Sequence, residues 1–142
     1  MNTLPFKILG LDHVAIAVKE LDTAGILFKD ILGIPISNSE RVVDQQIITD
    51  IFHLGNSKIE LLESTSVDSP ISKFIDNKGE GLHHIALKVD DIILALDYCK
   101  LNNILLIDEE PRIGAEGKLI AFLHPKSTYG VLIELCQEKT KL

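Results

Sequence analysis

The sequence has few of the features that mark membrane, disulfide-rich or secreted proteins. No apolar run reaches the roughly 18 residues that a membrane-spanning helix needs. The two cysteines, Cys99 and Cys136, lie far apart and form no CxxC motif, so neither a disulfide framework nor a zinc–thiolate site is expected. The N-terminal segment has no long apolar block, which indicates no secretory signal or transit peptide and predicts a cytoplasmic location.

Positive charge is also scarce, because 14 Lys and Arg stand against 21 Asp and Glu and give a net charge of −7 at pH 7. A nucleic-acid-binding protein needs a basic face that displaces counterions, so no nucleic-acid partner is expected. The negative net charge is compatible with binding of an anionic small molecule, since a few cationic side chains in one pocket make the local potential positive. The length of 142 residues and the 46% hydrophobic content fit one globular domain spanning residues 1–142.

The first half of the chain predicts one strand, one helix and three further strands. Residues 11–18 are β-branched and partly alternating, as in a strand. Apolar residues then recur at helical spacing over residues 21–32, and Gly33 and Pro35 end that helix. Three more strands are predicted over residues 34–43, 46–54 and 58–63.

The second half repeats this order after a linker helix. Residues 69–78 begin with Ser-Pro, which is typical of a helix start. A strand over residues 82–89 leads to a helix that is capped by Asp90 or Asp91 and ends near residue 102. A polar loop over residues 108–117 interrupts the three strands predicted at 104–107, 118–123 and 130–137.

Two stretches of the first half align with two stretches of the second. Residues 12–18, DHVAIAV, match residues 83–89, HHIALKV, and residues 58–61, KIEL, match residues 132–135, LIEL. A βαβββ unit therefore occurs twice, and each unit alone would leave one face of its sheet uncovered.

From this duplication we predict an α+β fold built from two tandem βαβββ modules. The modules cover about residues 9–64 and 80–138, and the linker helix lies between them. Their sheets are expected to form a curved, pseudo-symmetric cleft that places repeat-equivalent residues opposite each other.

Four residues with metal-binding side chains fall at matching places in the two repeats: His13, Glu60, His84 and Glu134. Each interrupts an otherwise apolar strand. A buried carboxylate is costly unless it is paired or binds a cation. Two imidazoles and two carboxylates form a ligand set that suits a divalent Mn, Co, Ni or Zn ion and leaves positions open for water or substrate. The pattern therefore predicts one metal site in the cleft.

The other histidines carry weaker signals. Strand alternation sends His83 to the face opposite His84, so no ligand role is predicted for it. His53 and His124 lie near strand ends, and His124, in the segment HPKS, either lines the pocket or belongs to a turn.

Several segments together carry a family resemblance: LDHVAIAV at 11–18, LGNSKIELLE at 54–63, DSPISKF at 68–74, GEGLHHIA at 79–86, PRIGAEGK at 111–118, FLHPKS at 122–127 and GVLIEL at 130–135. Over residues 9–138 the chain resembles the acyl-CoA epimerases of the vicinal-oxygen-chelate (glyoxalase-like) superfamily. The fold implied is that of the glyoxalase and bleomycin-resistance proteins.

The resemblance implies a reaction, a cofactor and an assembly. The reaction is the interconversion of 2R- and 2S-methylmalonyl-CoA, a step of propionate metabolism, by 1,1-proton transfer through a metal-stabilised enolate. The cofactor is a divalent Co, Mn, Ni, Zn or Mg ion held by the four residues named above. The substrate is an acyl-CoA, and a homodimer is expected.

The resemblance also implies roles for individual residues. Glu134 is expected to be a metal ligand and a catalytic carboxylate. Some of these epimerases carry a glutamate on the strand where this chain has Thr49 and Asp50, and their strand often starts Gln-Gly-Val where this chain has Gln-Gln-Ile. The second acid/base is therefore either Asp50 or Glu60. CoA carries phosphates, and the basic residues nearest the predicted rim of the cleft are Lys73, Arg112, Lys118 and Lys126. Of the residues near the rim, Lys118, Lys126 and Ser127 are expected to contact the CoA moiety.

Two other functions fit the same fold. A metal-dependent glyoxalase I, or lactoylglutathione lyase, would share the ligands and the proton chemistry. Against it, the chain has His-Pro-Lys where that family usually has an Asp-Pro-Asp-Gly-like turn. A non-catalytic protein that sequesters a ligand, as bleomycin-resistance proteins do, would generally lack a full ligand set.

Overall fold

The computed structural model describes residues 3–139. The chain divides into two compact units: His13–His83 forms one, and the residues before His13 together with those from His84 onward form the other. The strand–helix–strand–strand–strand order occurs twice along the chain, as the sequence predicts. That the two modules act as one domain stays a prediction.

The sheet of the His13–His83 unit has the strand order β2-β3-β4-β1. Strand β1 runs parallel to β4, and the other neighbours are antiparallel. Gln46, just before β3, has a left-handed φ of 55°, a conformation that glycine adopts more readily. The strand bounds are Ile8–Ala17 for β1, Ile36–Val42 for β2, Ile47–Leu54 for β3 and Ser57–Ser64 for β4.

The helix that follows β1 is less regular than the sequence predicts. Instead of one α-helix over residues 21–32, α1 (Leu21–Gly25) continues as a π-helical turn over Ile26–Ile31. The Leu32 N–H donates to the carbonyl oxygen of Leu27, five residues back, at 2.9 Å. An apolar periodicity does not distinguish an α-turn from the wider π-turn, because both keep the apolar side chains on nearly the same face.

The linker helix α2 spans Pro70–Lys78, as the sequence predicts. Ser69 caps it, since its hydroxyl oxygen accepts a hydrogen bond from the Ile71 N–H at 3.1 Å, and Pro70 occupies the first turn. The helix ends at Gly79, whose φ of 81° is open to glycine but strained for other residues.

The second unit has the strand order β5-β8-β7-β6, with β5 parallel to β8. Its helix α3 spans Ile92–Leu101, and the side chain of Asp91 caps it by accepting a hydrogen bond from the Leu94 N–H at 3.0 Å. The strand bounds are Gly81–Val89 for β5, Arg112–Ile113 for β6, Leu119–Leu123 for β7 and Ile133–Gln137 for β8.

The strand predicted at residues 104–107 is wrong, and β6 lies instead inside the predicted polar loop. Of that segment only Leu106 forms an isolated bridge, with Leu123. Beside this bridge the Ile107 N–H donates to the Phe122 carbonyl and the Leu105 carbonyl accepts from the His124 N–H. The pairing goes no further, because the Ile104 N–H donates to the Cys99 carbonyl at the end of α3 and the Leu105 N–H donates to the Ser127 hydroxyl. The segment is therefore limited to a single bridge and forms no strand. No pattern of hydrophobicity marks a two-residue strand such as β6.

Strand β8 is shorter than the predicted strand over residues 130–137. The residues before it form a turn, in which Tyr129 and Gly130 both have positive φ and the Gly130 N–H donates to the Pro125 carbonyl at 2.9 Å. Because of this turn, the pairing of β8 with β5 and β7 begins only at Ile133.

Each sheet has one face packed against its own helix. In the His13–His83 unit this core contains Val18, Leu21, Phe52 and Leu61. In the other unit the helix-facing core contains Val89, Ile92, Ala95, Leu96, Ala121, Leu123 and Leu135. The opposite face of each sheet carries the predicted ligands.

Candidate metal centre

In the His13–His83 unit, His13 and Glu60 share the sheet face that α1 does not cover. Leu61 packs in the core with α1, so Glu60, one residue before it, points to the opposite face. His13 Nδ1 lies 3.1 Å from Glu60 Oε2, and each side chain is 6% exposed. This imidazole and this carboxylate are therefore both buried and in direct contact.

The other unit carries the equivalent pair. Glu134 alternates with the helix-facing Leu135, and its neighbour in the parallel ladder of β5 and β8 is Ala86, just as the neighbour of Glu60 is Ala15. His84 Nε2 lies 3.5 Å from Glu134 Oε1, with the two side chains 4% and 5% exposed. The duplication visible in the sequence thus produces the same buried histidine–glutamate pair in each unit.

The chemistry of these donors fits a divalent metal. Metal–ligand bonds of about 2.0–2.2 Å put neighbouring ligand atoms roughly 3–3.5 Å apart, which is the spacing found within both pairs. All four residues belong to groups of buried side chains that are able to hold a metal ion. Each pair supplies one borderline nitrogen and one hard oxygen donor, a mixture that suits Mn, Co, Ni or Zn.

Asp50 does not share a face with Glu60. Its cross-strand partners are Leu61 and Ser39, and Leu61 belongs to the core under α1. The residues of β3 that share the face of Glu60 are Thr49 and Ile51, both fully buried. The assignment of Asp50 as the second acid/base therefore conflicts with its position in the sheet. The face on which Asp50 lies could not be predicted from the sequence. Ile47–Leu54 is largely apolar on both faces, so alternation alone does not tell the two faces apart.

Lys118 is already engaged within the protein. Its Nζ lies 2.9 Å from Asp12 Oδ1 and 3.8 Å from Glu116 Oε1, and its side chain is 13% exposed. Asp12 itself is buried next to His13 in the chain. The ammonium group of Lys118 thus neutralises a buried carboxylate, which sequence reasoning did not anticipate.

Lys126 and Ser127 lie in a short 3₁₀ turn, Pro125–Ser127, after β7. The Lys126 side chain is exposed, and the Ser127 hydroxyl accepts a hydrogen bond from the Leu105 N–H at 2.9 Å. His124 caps this turn, because its Nδ1 accepts a hydrogen bond from the Lys126 N–H at 3.0 Å. Of the two roles that the sequence leaves open for His124, the structure has the turn role.

The remaining histidines, His83 and His53, have surroundings unlike those of His13 and His84. The His83 ring packs edge-on against Phe74 of α2, with centroids 4.9 Å apart, and His53 is exposed. Neither Cys99 nor Cys136 forms a disulfide with a described residue, and burial raises the pKa of the Cys99 thiol. Among residues 3–139, no helix combines the length and apolar character needed to cross a membrane.

Thr49 and Lys58 are buried polar residues to which the sequence assigned no role. Thr49 is fully buried on the face that carries Glu60, and its hydroxyl has no hydrogen-bond partner among the described residues. Lys58, two residues before Glu60 on β4, is 8% exposed and points to the same face. The sequence places both in strands, but only the register shows that they share a face with the ligand pair.

Comparison with known proteins agrees with this architecture. The profile of the Glyoxalase/Bleomycin resistance protein/Dioxygenase superfamily matches residues 12–122. Human mitochondrial methylmalonyl-CoA epimerase is 44% identical over 128 residues, which cover 89% of this chain and 73% of the human protein. The ethylmalonyl-CoA/methylmalonyl-CoA epimerase of Cereibacter sphaeroides is 40% identical over 129 residues, covering 89% of this chain and 96% of that protein.

A solved structure shows the same fold. Methylmalonyl-CoA epimerase from Mycobacterium tuberculosis superposes with a TM-score of 0.90 at 32% identity, and the match covers 99% of this chain and 93% of that one. The predicted α+β fold of two βαβββ modules is thereby confirmed. The chain belongs to the glyoxalase/bleomycin resistance protein/dioxygenase superfamily, and within it to the family of the methylmalonyl-CoA epimerases.

Proposed function

We propose that this protein interconverts 2R- and 2S-methylmalonyl-CoA by removing the C2 proton on one side of the carbon and returning a proton on the other. One observation carries the proposal: a buried histidine–glutamate pair recurs at equivalent positions of the two repeats. Burying two carboxylates lowers the stability of the fold. Binding a cation and moving protons would account for their presence. The relatives named above support the choice of substrate.

The proposed cofactor is one divalent ion held by His13, Glu60, His84 and Glu134. When bound, the ion supplies Lewis acidity, which makes the proton between the thioester and the free carboxylate easier to remove. The identity of the ion among Co, Mn, Ni, Zn and Mg is a matter for metal analysis, since this donor set accepts several of them.

Glu134 is the proposed base on one side of the substrate. As the C2–H bond breaks, the Glu134 carboxylate takes the proton and the electron pair moves onto the thioester carbonyl oxygen. A second acid then delivers a proton to the opposite side of C2. Glu60 is the better candidate for that role, because it lies on the face of its sheet that carries His13, whereas Asp50 faces the core under α1.

The CoA moiety is proposed to contact Lys126 and Ser127. The turn over Pro125–Ser127 presents an exposed ammonium group and a backbone fixed by the His124 cap, which suits a phosphate oxygen. Lys118 is a weaker candidate, because its ammonium group is bound to Asp12. We also propose that the protein is a cytoplasmic homodimer that works in propionate metabolism.

Deuterium exchange tests the function directly. In heavy water with a divalent ion, the protein should introduce deuterium at C2 of methylmalonyl-CoA, and a chelator should abolish the exchange. Replacing Glu134 with Gln removes the proposed base and should slow exchange by at least about 100-fold. Mass spectrometry of the acyl-CoA measures the uptake.

Glu138→Gln is the matched control, since Glu138 follows directly after β8 and its side chain is 67% exposed. This variant should exchange at the wild-type rate. Metal-loaded protein that leaves the C2 proton in place would exclude the epimerase. Conversion of the hemithioacetal of glutathione in the same assay would assign a glyoxalase I instead, and tight binding of a small molecule without turnover would indicate a sequestering protein.

A further inference from the structure

Arg112 lies on the sheet face that carries His84 and Glu134. It is one of the two residues of β6, and its cross-strand partner on β7 is Ile120. Ile120 clusters with Ala86 and Phe122 on the face of this sheet that α3 does not cover. Phe122 in turn is the cross-strand partner of Glu134. Arg112 is therefore a cation on the same surface as the proposed ligand pair.

The ring of Phe122 contacts both the Arg112 guanidinium and the ring of His84. The guanidinium carbon lies 5.8 Å from the centroid of Phe122, within the range of a cation–π interaction. The His84 ring also contacts Phe122, at 90° and with centroids 5.2 Å apart. Phe122 thus fixes the spacing between the cation and the ligand pair.

Asp108 forms an ion pair with the Arg112 guanidinium but does not occupy all of its N–H donors. Asp108 Oδ2 accepts a hydrogen bond from the Phe122 N–H at 2.8 Å, so this carboxylate is anchored to β7. Its Oδ1 lies 3.3 Å from Arg112 Nε, close enough for an ion pair but not aligned for a hydrogen bond. The Arg112 side chain is 37% exposed, so part of its planar fork of N–H donors remains open to a ligand.

The repeat makes this cation distinctive. Arg112 pairs with Ile120, which pairs with Cys136 two residues after Glu134. In the other unit the same ladder position, two strands away from β4, is held by Glu40, which pairs with Thr49. The duplication therefore places a carboxylate at this position in one unit and a guanidinium in the other.

We propose that Arg112 binds the free carboxylate of the substrate's acyl group and thereby selects malonyl-type acyl-CoAs over acyl-CoAs without that carboxylate. The proposal rests on the proposed function, which places the acyl carbons beside His84 and Glu134. A guanidinium matches a carboxylate with two parallel hydrogen bonds. The pantetheine arm of CoA separates its phosphates from the acyl group, so a cation one ring away from the ligand pair suits the carboxylate better than a phosphate.

Binding of two acyl-CoAs that differ only near this carboxylate tests the proposal. Malonyl-CoA carries the carboxylate and acetyl-CoA lacks it. With protein saturated by Mn²⁺, isothermal titration should show that the wild type binds malonyl-CoA at least about tenfold more tightly than acetyl-CoA. Arg112→Gln should weaken malonyl-CoA binding by at least about tenfold and leave acetyl-CoA binding unchanged.

Arg41→Gln is the matched control, because Arg41 is an exposed arginine of β2 on the other unit, and it should change neither affinity. Arg112→Lys keeps the charge but loses the planar fork, so it should show a smaller, still malonyl-selective loss. It also serves as the test variant if Arg112→Gln fails to fold, which its melting temperature reports.

Other outcomes overturn the proposal in distinguishable ways. Equal weakening for both ligands would assign Arg112 to the CoA moiety, and unchanged affinities in a folded variant would exclude contact with either part. A wild-type protein that binds malonyl-CoA and acetyl-CoA equally well would also contradict it. These are binding measurements, so they decide the role of Arg112 even if deuterium exchange fails and the proposed reaction is abandoned.

Discussion

At the scale of single residues, the sequence identifies the ligand-type side chains but not the direction in which every side chain points. His13 and His84 each lie on a strand whose repeat partner is recognisable, so their equivalence could be predicted. Asp50 was one of two candidates for the second acid/base because some related epimerases carry a glutamate on that strand. Its pairing with Leu61 shows that it lies on the face packed against α1. Alternation gives the period of a strand, whereas the register gives its face.

Thr49 offers a test of this residue-level description. Its buried hydroxyl has no hydrogen-bond partner among the described residues, and an unsatisfied buried hydroxyl costs about 1–3 kcal/mol. Thr49→Val removes the hydroxyl with little change of shape, so it should raise the free energy of unfolding by about 1 kcal/mol in urea denaturation.

Thr128→Val is the control for that substitution, because the Thr128 hydroxyl donates to the Val131 carbonyl and its loss should bring no gain. A loss of stability in Thr49→Val would mean that the hydroxyl has a partner in solution, such as an ordered water molecule.

At the scale of secondary-structure elements, long periodic segments are predictable and short ones are not. Strands β3 and β4 and the helices α2 and α3 appear close to their predicted bounds, because each is a long apolar or amphipathic segment that ends at a cap or a turn. The two-residue strand β6 escapes prediction, since a ladder this short leaves no period. Its place is set by packing of the loop over residues 108–117 against β7.

Gly114 shows how tightly that loop packs. A Cβ at this position would lie 2.8 Å from Cδ1 and 2.9 Å from Cγ2 of Ile120, a buried side chain on β7. Gly114→Ala should therefore lower the free energy of unfolding by about 1–3 kcal/mol, as overpacking does. Chemical denaturation with urea measures this loss.

Gly25→Ala in α1 is the control, because its added Cβ meets no atom within 4 Å and its φ is helical. That variant should be neutral or slightly stabilising, since alanine favours a helix over glycine. If both variants behaved alike, the close packing of the loop against Ile120 would not hold in solution. In a double-mutant cycle, Gly114→Ala should lower the free energy of unfolding less in the Ile120→Ala background than in the wild type if the two side chains collide.

At the scale of the whole molecule, duplication is the property that the sequence conveys best. Two βαβββ modules were predictable because their apolar patterns and their polar interruptions align together, and known proteins of the same fold agree with them. What the two modules do jointly is a matter of proposal. The proposed shared metal site leads to a thermodynamic prediction, because a ligand that binds only the folded state stabilises it.

A divalent ion should raise the melting temperature of the protein, and EDTA should reverse the change. At a free-ion concentration about 100 times the dissociation constant, the gain is about 2.7 kcal/mol. His13→Ala and His84→Ala should each lose most of this shift, because one ion is proposed to use ligands from both repeats. Differential scanning fluorimetry with Mn²⁺ or Co²⁺ measures it.

His53→Ala is the control, since His53 is exposed and outside both pairs, and it should keep the wild-type shift. If removal of His13 abolished the shift while removal of His84 left it intact, the ion would belong to one repeat alone. The proposal of a shared site would then be withdrawn.

The alternation of Ile59, Glu60 and Leu61 along β4 has a consequence for folding. If β4 paired one residue out of step with β3, Glu60 would turn into the hydrocarbon under α1 and Leu61 would replace it beside His13. The same slip in β8 would push Glu134 beneath α3. A misaligned sheet would thus bury a lone negative charge, and the residues suited to chemistry would also penalise incorrect strand pairing.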